Sequence, residues 1–356
     1  MANQKKAAPP LLQNAVGWFD THVQARVHAD ASDPDKYIMP WPFIWLNLGL
    51  VLIPFAGFSW TAFGMAVFLY FIRMFGITGV YHRYFSHRTY KTSRVFQFFL
   101  ALLGNSSGQR GPLWWGAHHR HHHAFSDAPE DIHSPKQTGF WNAHMLWWSR
   151  RKNISARLDL IQDYAKYPEL MWLDRFDSVV LIALGAVVTG LGAFLNRYFP
   201  ELGTSAFQMF AWAFIGSTVA LFHGVATINS LSHVYGSRRF QTKDTSRNNL
   251  LLALITLGEG WHNNHHHYCN STRQGFYWWE IDITYYMLKG LEKLGLVWDL
   301  KPVPERILNP KPAAVRPHET VPALVHRAGG VAGSLNAHNH PSAAAAPVRS
   351  PEPPNP

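Results

Sequence analysis

Four long apolar runs stand out against a polar background, at roughly 41–58, 60–80, 178–195 and 205–228. A helix rises about 1.5 Å per residue, and a hydrocarbon core is about 30 Å thick, so each run predicts a transmembrane helix. Asn47 is the strongly polar residue of the first run and Arg73 that of the second, near its end, where its side chain is expected to snorkel to the interface. The first two runs almost touch, which predicts a tight hairpin. A shorter apolar piece, Val95 to Leu103, cannot cross and reads as interfacial or re-entrant. The pattern gives an all-α integral membrane protein with four transmembrane helices. Its domains would be a polar N-terminal segment (1–36), a membrane domain (37–310) and a Pro/Ala-rich tail (316–356) expected to be disordered. A mixed stretch, Leu11 to Phe19, would suit the membrane surface.

Basic residues orient these helices. Segment 81–176 carries 13 Lys and Arg, whereas the link between the third and fourth runs carries one, Arg197. The positive-inside rule then puts the middle segment and both termini in the cytosol. Trp41, Trp60, Trp147, Trp148, Trp278 and Trp279 would suit interfacial positions. The N-terminus has no apolar core of a signal peptide, so the first span would serve as the insertion signal.

Composition sharpens this picture. Charged residues make up 15%, below the roughly 25% of a soluble domain. The mean hydropathy of -0.12 averages apolar runs with a very polar middle and tail. The net charge of +10 can mean nucleic acid, anionic lipid or an anionic substrate. Given the spans, the lipid bilayer and an anionic substrate are the expected partners, and no nucleic acid. Cys269 is the single cysteine, so there is no internal disulfide.

The 21 histidines change the picture most. They gather at His82–His87, His118–His123, Asn229–His233 and His262–His267, all on the side assigned to the cytosol. In a helix, residues i, i+3 and i+4 share a face. His262, His265 and His266 have that spacing, and Asn229 and His233 are i and i+4. In the second tract two triples qualify, His119/His122/His123 and His118/His121/His122, and spacing does not choose between them. His82 and His87, five apart, fit one helical face poorly, which predicts a break or turn at the membrane exit. So many imidazoles exceed the need of one ion and point to a two-metal site; iron, copper, zinc and nickel all accept such ligands. Isolated histidines (His22, His28, His133, His144, His223) read as structural, and those of the tail as solvated.

HRYFSHRTYK at 82–91, HRHHHAFSD at 119–127, NSLSHVYG at 229–236 and GEGWHNNHH at 258–266 resemble, box by box and in order, the acyl-CoA (stearoyl-CoA-type) fatty-acid desaturases. The resemblance spans roughly 40–305. It implies a cytosolic helical cap over the four spans, two Fe ions (Fe2+/Fe3+), O2 as co-substrate and a cis double bond made in a long acyl chain, acyl-CoA and delta-9 in type. It carries ligand roles onto His82, His87, His119, His122, His123, His233, His262, His265 and His266. It gives Asn229 a metal-bound water, and it selects the His119 triple. No catalytic residue beyond these is implied. His118, His121 and His267 depart from the family pattern. No fused cytochrome b5 domain follows the last box, so electrons would come from a separate carrier, of ferredoxin or cytochrome b5 type, with a reductase. The tail leans toward a bacterial inner membrane. Arg150, Arg151 and Lys152 read either as holding an anionic head group or as solvated charges. The same scaffold would also serve a membrane diiron hydroxylase or oxygenase. A metal transporter would string its ligands at mid-membrane, not at one end.

Overall fold

The structure, a computed structural model, describes residues 16–28, 33–38 and 41–309, all within one compact unit, Met1–Pro310. The tail and most of the Leu11–Phe19 stretch lie outside the described residues. The helices that matter for the site are α1 (Thr21–His28), α2 (Trp41–Ala56), α3 (Trp60–Ser86), α4 (Arg94–Asn105), α5 (Pro112–Phe125), α6 (Pro168–Arg175), α7 (Asp177–Tyr198), α8 (Ala206–His233), α9 (Leu250–Ile255), α10 (His262–His267) and α11 (Ile283–Lys293). A two-stranded antiparallel pair, β1 (Lys91–Thr92) and β2 (Val297–Trp298), ties the chain after α3 to the chain after α11.

Three helices, α3, α7 and α8, are long and apolar enough to cross a membrane. The first run forms the shorter α2, with a 3-10 turn at Gly49–Val51 and Pro54 in its last segment. At about 1.5 Å per residue it reaches about 24 Å. Between α2 and α3 the chain turns at Gly57 (φ 70°), and Ser59 caps α3 by accepting from the Ala62 N–H at 3.3 Å. α2 packs on α8: Phe43 lies 4.4 Å from Phe222, and a side chain on Gly49 would meet Ile215 at 3.1 Å. The bundle core is Leu69 of α3, Val188 of α7 and Met209, Phe214 and Val219 of α8. The outer faces are apolar and exposed, as at Phe55, Phe68, Ile182 and Val187. Such faces suit lipid.

Arg73 does not snorkel. It is buried, donating to Leu69 O, Ser106 O, Thr218 Oγ1 and Ser217 Oγ at 2.6–3.2 Å. The guanidinium pins α3 to α8 and to the end of α4. A buried cation is tolerable only when its donors are largely met, and here four of the five N–H groups find acceptors.

Beyond the bundle, α4, α5, α6 and the Gly76–Ser86 segment of α3 form a second core around Tyr81, Phe85, Leu100, Leu113 and Leu173. α3 and α4 cross closely: a Cβ on Gly76 would fall 2.9 Å from the Leu103 carbonyl oxygen. Val95–Leu103 lies inside α4, too short to cross, with Val95 and Phe99 exposed on one face and Leu100 and Ala101 buried on the other.

Candidate metal centre

Four elements bring histidines to one place. α3 contributes His82 and His87, α5 contributes His119, His122 and His123, the end of α8 contributes His233, and α10 contributes His262, His265 and His266. Their ring nitrogens fall into two groups. One holds His82, His87, His119, His123 and His265; the other holds His122, His233, His262 and His266. All nine sequence-selected histidines are thus assembled.

Local geometry explains the split. Along α5, His119 and His123 (i, i+4) join the first group and His122 joins the second. Along α10, His262 and His266 (i, i+4) join the second group and His265 the first. Each of these helices therefore serves both groups, with opposite weights.

His82 and His87 use a different device. No break occurs between them; Gly76–Ser86 winds as a π-helix, with the His87 N–H donating to His82 O at 3.2 Å. Hydrogen bonding from i to i+5 brings residues five apart onto one face, and the two rings sit 4.9 Å apart. The α-helical register of Asn229 and His233 is also altered. The α-helix ends at Asn229, and His233 lies in a 3-10 turn, Leu231–His233.

The helix that carries the second tract is anchored remotely. Pro112 begins α5, and the Leu113 and Trp114 N–H groups donate to Asp174 Oδ1 of α6 at 3.0 and 2.7 Å. Burial pushes this carboxyl up to about 7, against those N–H donors.

Carboxylates orient several of the rings. His122 Nδ1 donates to Asp131 (3.0 Å) and His266 Nδ1 to Asp244 (2.7 Å). Glu259 contacts His82 Nδ1, and Asp127 lies 3.8 Å from His233 Nδ1. Three of these four acids back the second group and one the first. Burial raises Asp127, Asp131 and Asp244, but their histidine and hydroxyl partners outweigh it and hold all three below the usual carboxylate range. An acid bound to Nδ1–H fixes the tautomer and leaves Nε2 as a lone pair. The His266 Nε2 atom is accordingly buried with no hydrogen-bond partner.

The inward nitrogens crowd one another. Nε2–Nε2 separations are 3.0 Å for His82–His265 and His87–His119, 2.9 Å for His265–His123 and 3.1 Å for His233–His262. His265 Nε2 faces two such neighbours, which one proton cannot serve. Burial and then the neighbouring imidazoles hold His119, His123, His262 and His265 well below their ordinary pKa. Neutral, convergent imidazoles are the form in which histidine binds a transition metal. The donor set therefore fits two imidazole-ligated ions, one per group.

The remaining histidines sit elsewhere. His118 is buried, packs at a tilt against Trp114 and bonds its carbonyl oxygen through Nδ1 (2.9 Å); burial lowers it to about 4. His121 is bonded to Glu130 O at the surface, and exposed His267 stacks on Phe240. His223 lies between His144 Nε2 (3.1 Å) and Asn47 Oδ1 (3.3 Å), joining α8 to α2 and to the loop before Trp147.

Sequence reasoning missed the four acids and His133. That histidine, read as structural, lies against the His122 ring (4.2 Å) near Asp131, with its Nδ1 unpartnered. Two signals were available: Asp127 and Glu259 both fall inside the histidine boxes.

Beside the centre opens a cavity of about 600 Å³. Phe43, Leu46, Leu181, Phe222 and Val225 give it an apolar wall, and His119, His133 and Asn229 line it toward the metal ligands. Trp41, Trp147 and Trp148 line it as well, whereas Trp60 and Trp278 are about four-fifths exposed. A smaller pocket places Asn229 among His82, His119, His122 and His262.

The fatty acid desaturase family model matches residues 58–299. The chain is 37% identical over 254 residues to acyl-CoA 5-desaturase AL21 of Anemone leveillei, covering 70% of this chain and 74% of that one. It is 37% identical over 255 residues to Delta-9 acyl-lipid desaturase 1 of Arabidopsis thaliana, covering 70% and 78%. To the sn-2 palmitoyl-lipid 9-desaturase of Nostoc sp. (strain 36) it is 34% identical over 246 residues, covering 67% and 81%.

Proposed function

The chain belongs to the fatty acid desaturase family, and on that premise we propose that it makes a cis double bond in a long acyl chain at two irons held by the nine assembled histidines. It is an oxygen-dependent desaturase, an oxidoreductase of lipid metabolism and a membrane protein. The observation that carries the proposal is the pairing of two convergent imidazole groups with an apolar cavity that reaches His119, one of their rings.

Bound iron would supply the activation of oxygen needed to take hydrogen from an unactivated methylene. Everything else falls to the chain. Asp131, Asp244 and Glu259 hold His122, His266 and His82 with Nε2 turned inward. The cavity wall excludes water and sets which carbon pair lies beside His119. Asn229 would hold a metal-bound water. Its position in the small pocket, among His82, His119, His122 and His262, supports that role.

The finer reading has four spans, α2 being the fourth, with a cytosolic cap and both termini in the cytosol. It is supported by the apolar length of α2 and the Lys/Arg asymmetry. We place the chain in a bacterial inner membrane, with a ferredoxin or cytochrome b5-type carrier and its reductase supplying electrons. For the substrate we propose acyl-CoA and delta-9. The relatives support each part separately, since an acyl-CoA 5-desaturase and a Delta-9 acyl-lipid desaturase match equally well. Asp35 pairs with both Arg150 and Lys152, which leaves this run with net positive charge.

Expression in a host that lacks the activity, followed by mass spectrometry of acyl-CoA and lipid pools, tests this reading. The expected product is a cis-9 alkene that appears first on CoA. A hydroxylated chain would refute desaturation. A double bond that appears first on lipid, or at another carbon, would refute only the carrier or the position.

A further inference from the structure

Desaturation does not balance without outside electrons. Breaking two C–H bonds of a –CH2–CH2– unit yields two electrons, while reducing O2 to two waters takes four. Two electrons and two protons must therefore enter per double bond, and a one-electron carrier delivers the electrons singly. We propose that the loop 234–248 is the docking surface for an acidic one-electron carrier, which feeds the His262/His266 side of the centre. The proposal rests on the ligand set given above.

The loop is fixed to the ligand-bearing helix α10. Ser237 and Asn248 exchange backbone hydrogen bonds at its base (2.9 and 2.7 Å). The Arg239 and Phe240 N–H groups donate to Asn263 Oδ1, at 2.8 and 2.7 Å, next to His262. Asp244 accepts from His266 Nδ1. The Phe240 ring stacks on His267, with centroids 4.1 Å apart and planes within 4°. His267 follows His266 directly, so a π-stack open to solvent sits one residue from a proposed ligand.

Its positive charge is mostly uncompensated. Arg238, Lys243 and Arg247 have no carboxylate partner among the described residues, and Arg239 shares Glu280. The one acid of the loop, Asp244, is buried and turned toward His266. The other basic run, 150–152, is partly neutralised by Asp35. No residue of 234–248 lines the large cavity, so this basic surface is separate from the acyl site. A cationic face over a redox centre steers an anionic partner and gives salt-dependent association.

The test uses the full chain, purified in detergent with its metal, and an oxidised acidic [2Fe–2S] ferredoxin as probe. Kd is measured by titration at low and high salt, and metal content is assayed in parallel. The native chain is expected to lose affinity steeply as salt rises. Lys243 makes no side-chain hydrogen bond among the described residues, so Lys243→Glu should spare the fold while weakening binding about tenfold. Lys152→Glu, outside the loop, should change Kd less than about twofold. Native binding by Lys243→Glu, or equal weakening by Lys152→Glu, overturns the proposal. So does a Lys243→Glu variant that loses affinity for coenzyme A but not for ferredoxin. A native chain without metal would refute the ligand set and leave the docking result readable.

Discussion

At the scale of single residues, the second histidine tract is the sharpest case. Helical spacing admits two triples; in the structure His119 and His123 face the first group and His122 the second, while His118 packs on Trp114 and His121 on Glu130 O. His119→Ala and His123→Ala should therefore abolish activity and lower bound iron. His118→Ala and His121→Ala should keep a substantial share of both, read by product assay and metal analysis. The reverse pattern would reject this register. Asp244 should matter through His266: losing such a carboxylate typically costs about 10- to 100-fold in metal affinity. Asp244→Asn should accordingly retain less iron under chelator challenge, and unchanged retention would exclude that role. The nine histidines were legible because their boxes are explicit. The acids were not, because a carboxylate's partner depends on how the chain folds back: Asp131 reaches His122 across nine residues and Asp244 reaches His266 across twenty-two.

At the scale of elements, apolar run length located α3, α7 and α8, since burial of a long apolar stretch in lipid is encoded locally. The winding within them was hidden. A rule of 3.6 residues per turn reads His82 and His87 as out of phase, and the π-turns of Gly76–Ser86 bring them back. Arg73 escaped for a similar reason. Nothing in its run announces the Ser217, Thr218 and Ser106 acceptors that let it stay buried. The anchoring of α5 by Asp174 carries a pH prediction. The folded value, about 7, lies above the unfolded one of about 3.9. The folded state therefore holds the extra proton between these values. That contribution is complete below about pH 4 and is lost as pH rises through about 7. Asp174→Asn, which stays neutral, should thus gain thermal midpoint relative to the native protein from about pH 5 to pH 8. A constant or oppositely moving difference would contradict the raised carboxyl. Asp174→Ala, which removes the acceptor, should cost about 0.5–2 kcal/mol, read from denaturation midpoints.

At the scale of the whole molecule, the bundle and the second core meet where the histidines meet. α3 runs from the lipid-facing bundle into the second core and delivers His82 and His87 at its end; α8 does the same with Asn229 and His233. The fold is thereby organised so that an apolar cavity between α2, α7 and α8 reaches His119 of the first imidazole group. The sequence held the order of these parts, yet not the cavity, whose walls come from segments as distant as Phe43 and Phe222. Everything proposed for the chemistry depends on two metal ions lying between those groups. Iron analysis of the protein purified from an iron-replete host, normalised to amino-acid content, tests this most directly. Close to two irons per chain are expected, with zinc able to substitute in heterologous production because it accepts the same ligands. A well-folded, active protein that holds at most one metal ion would contradict the two-metal centre.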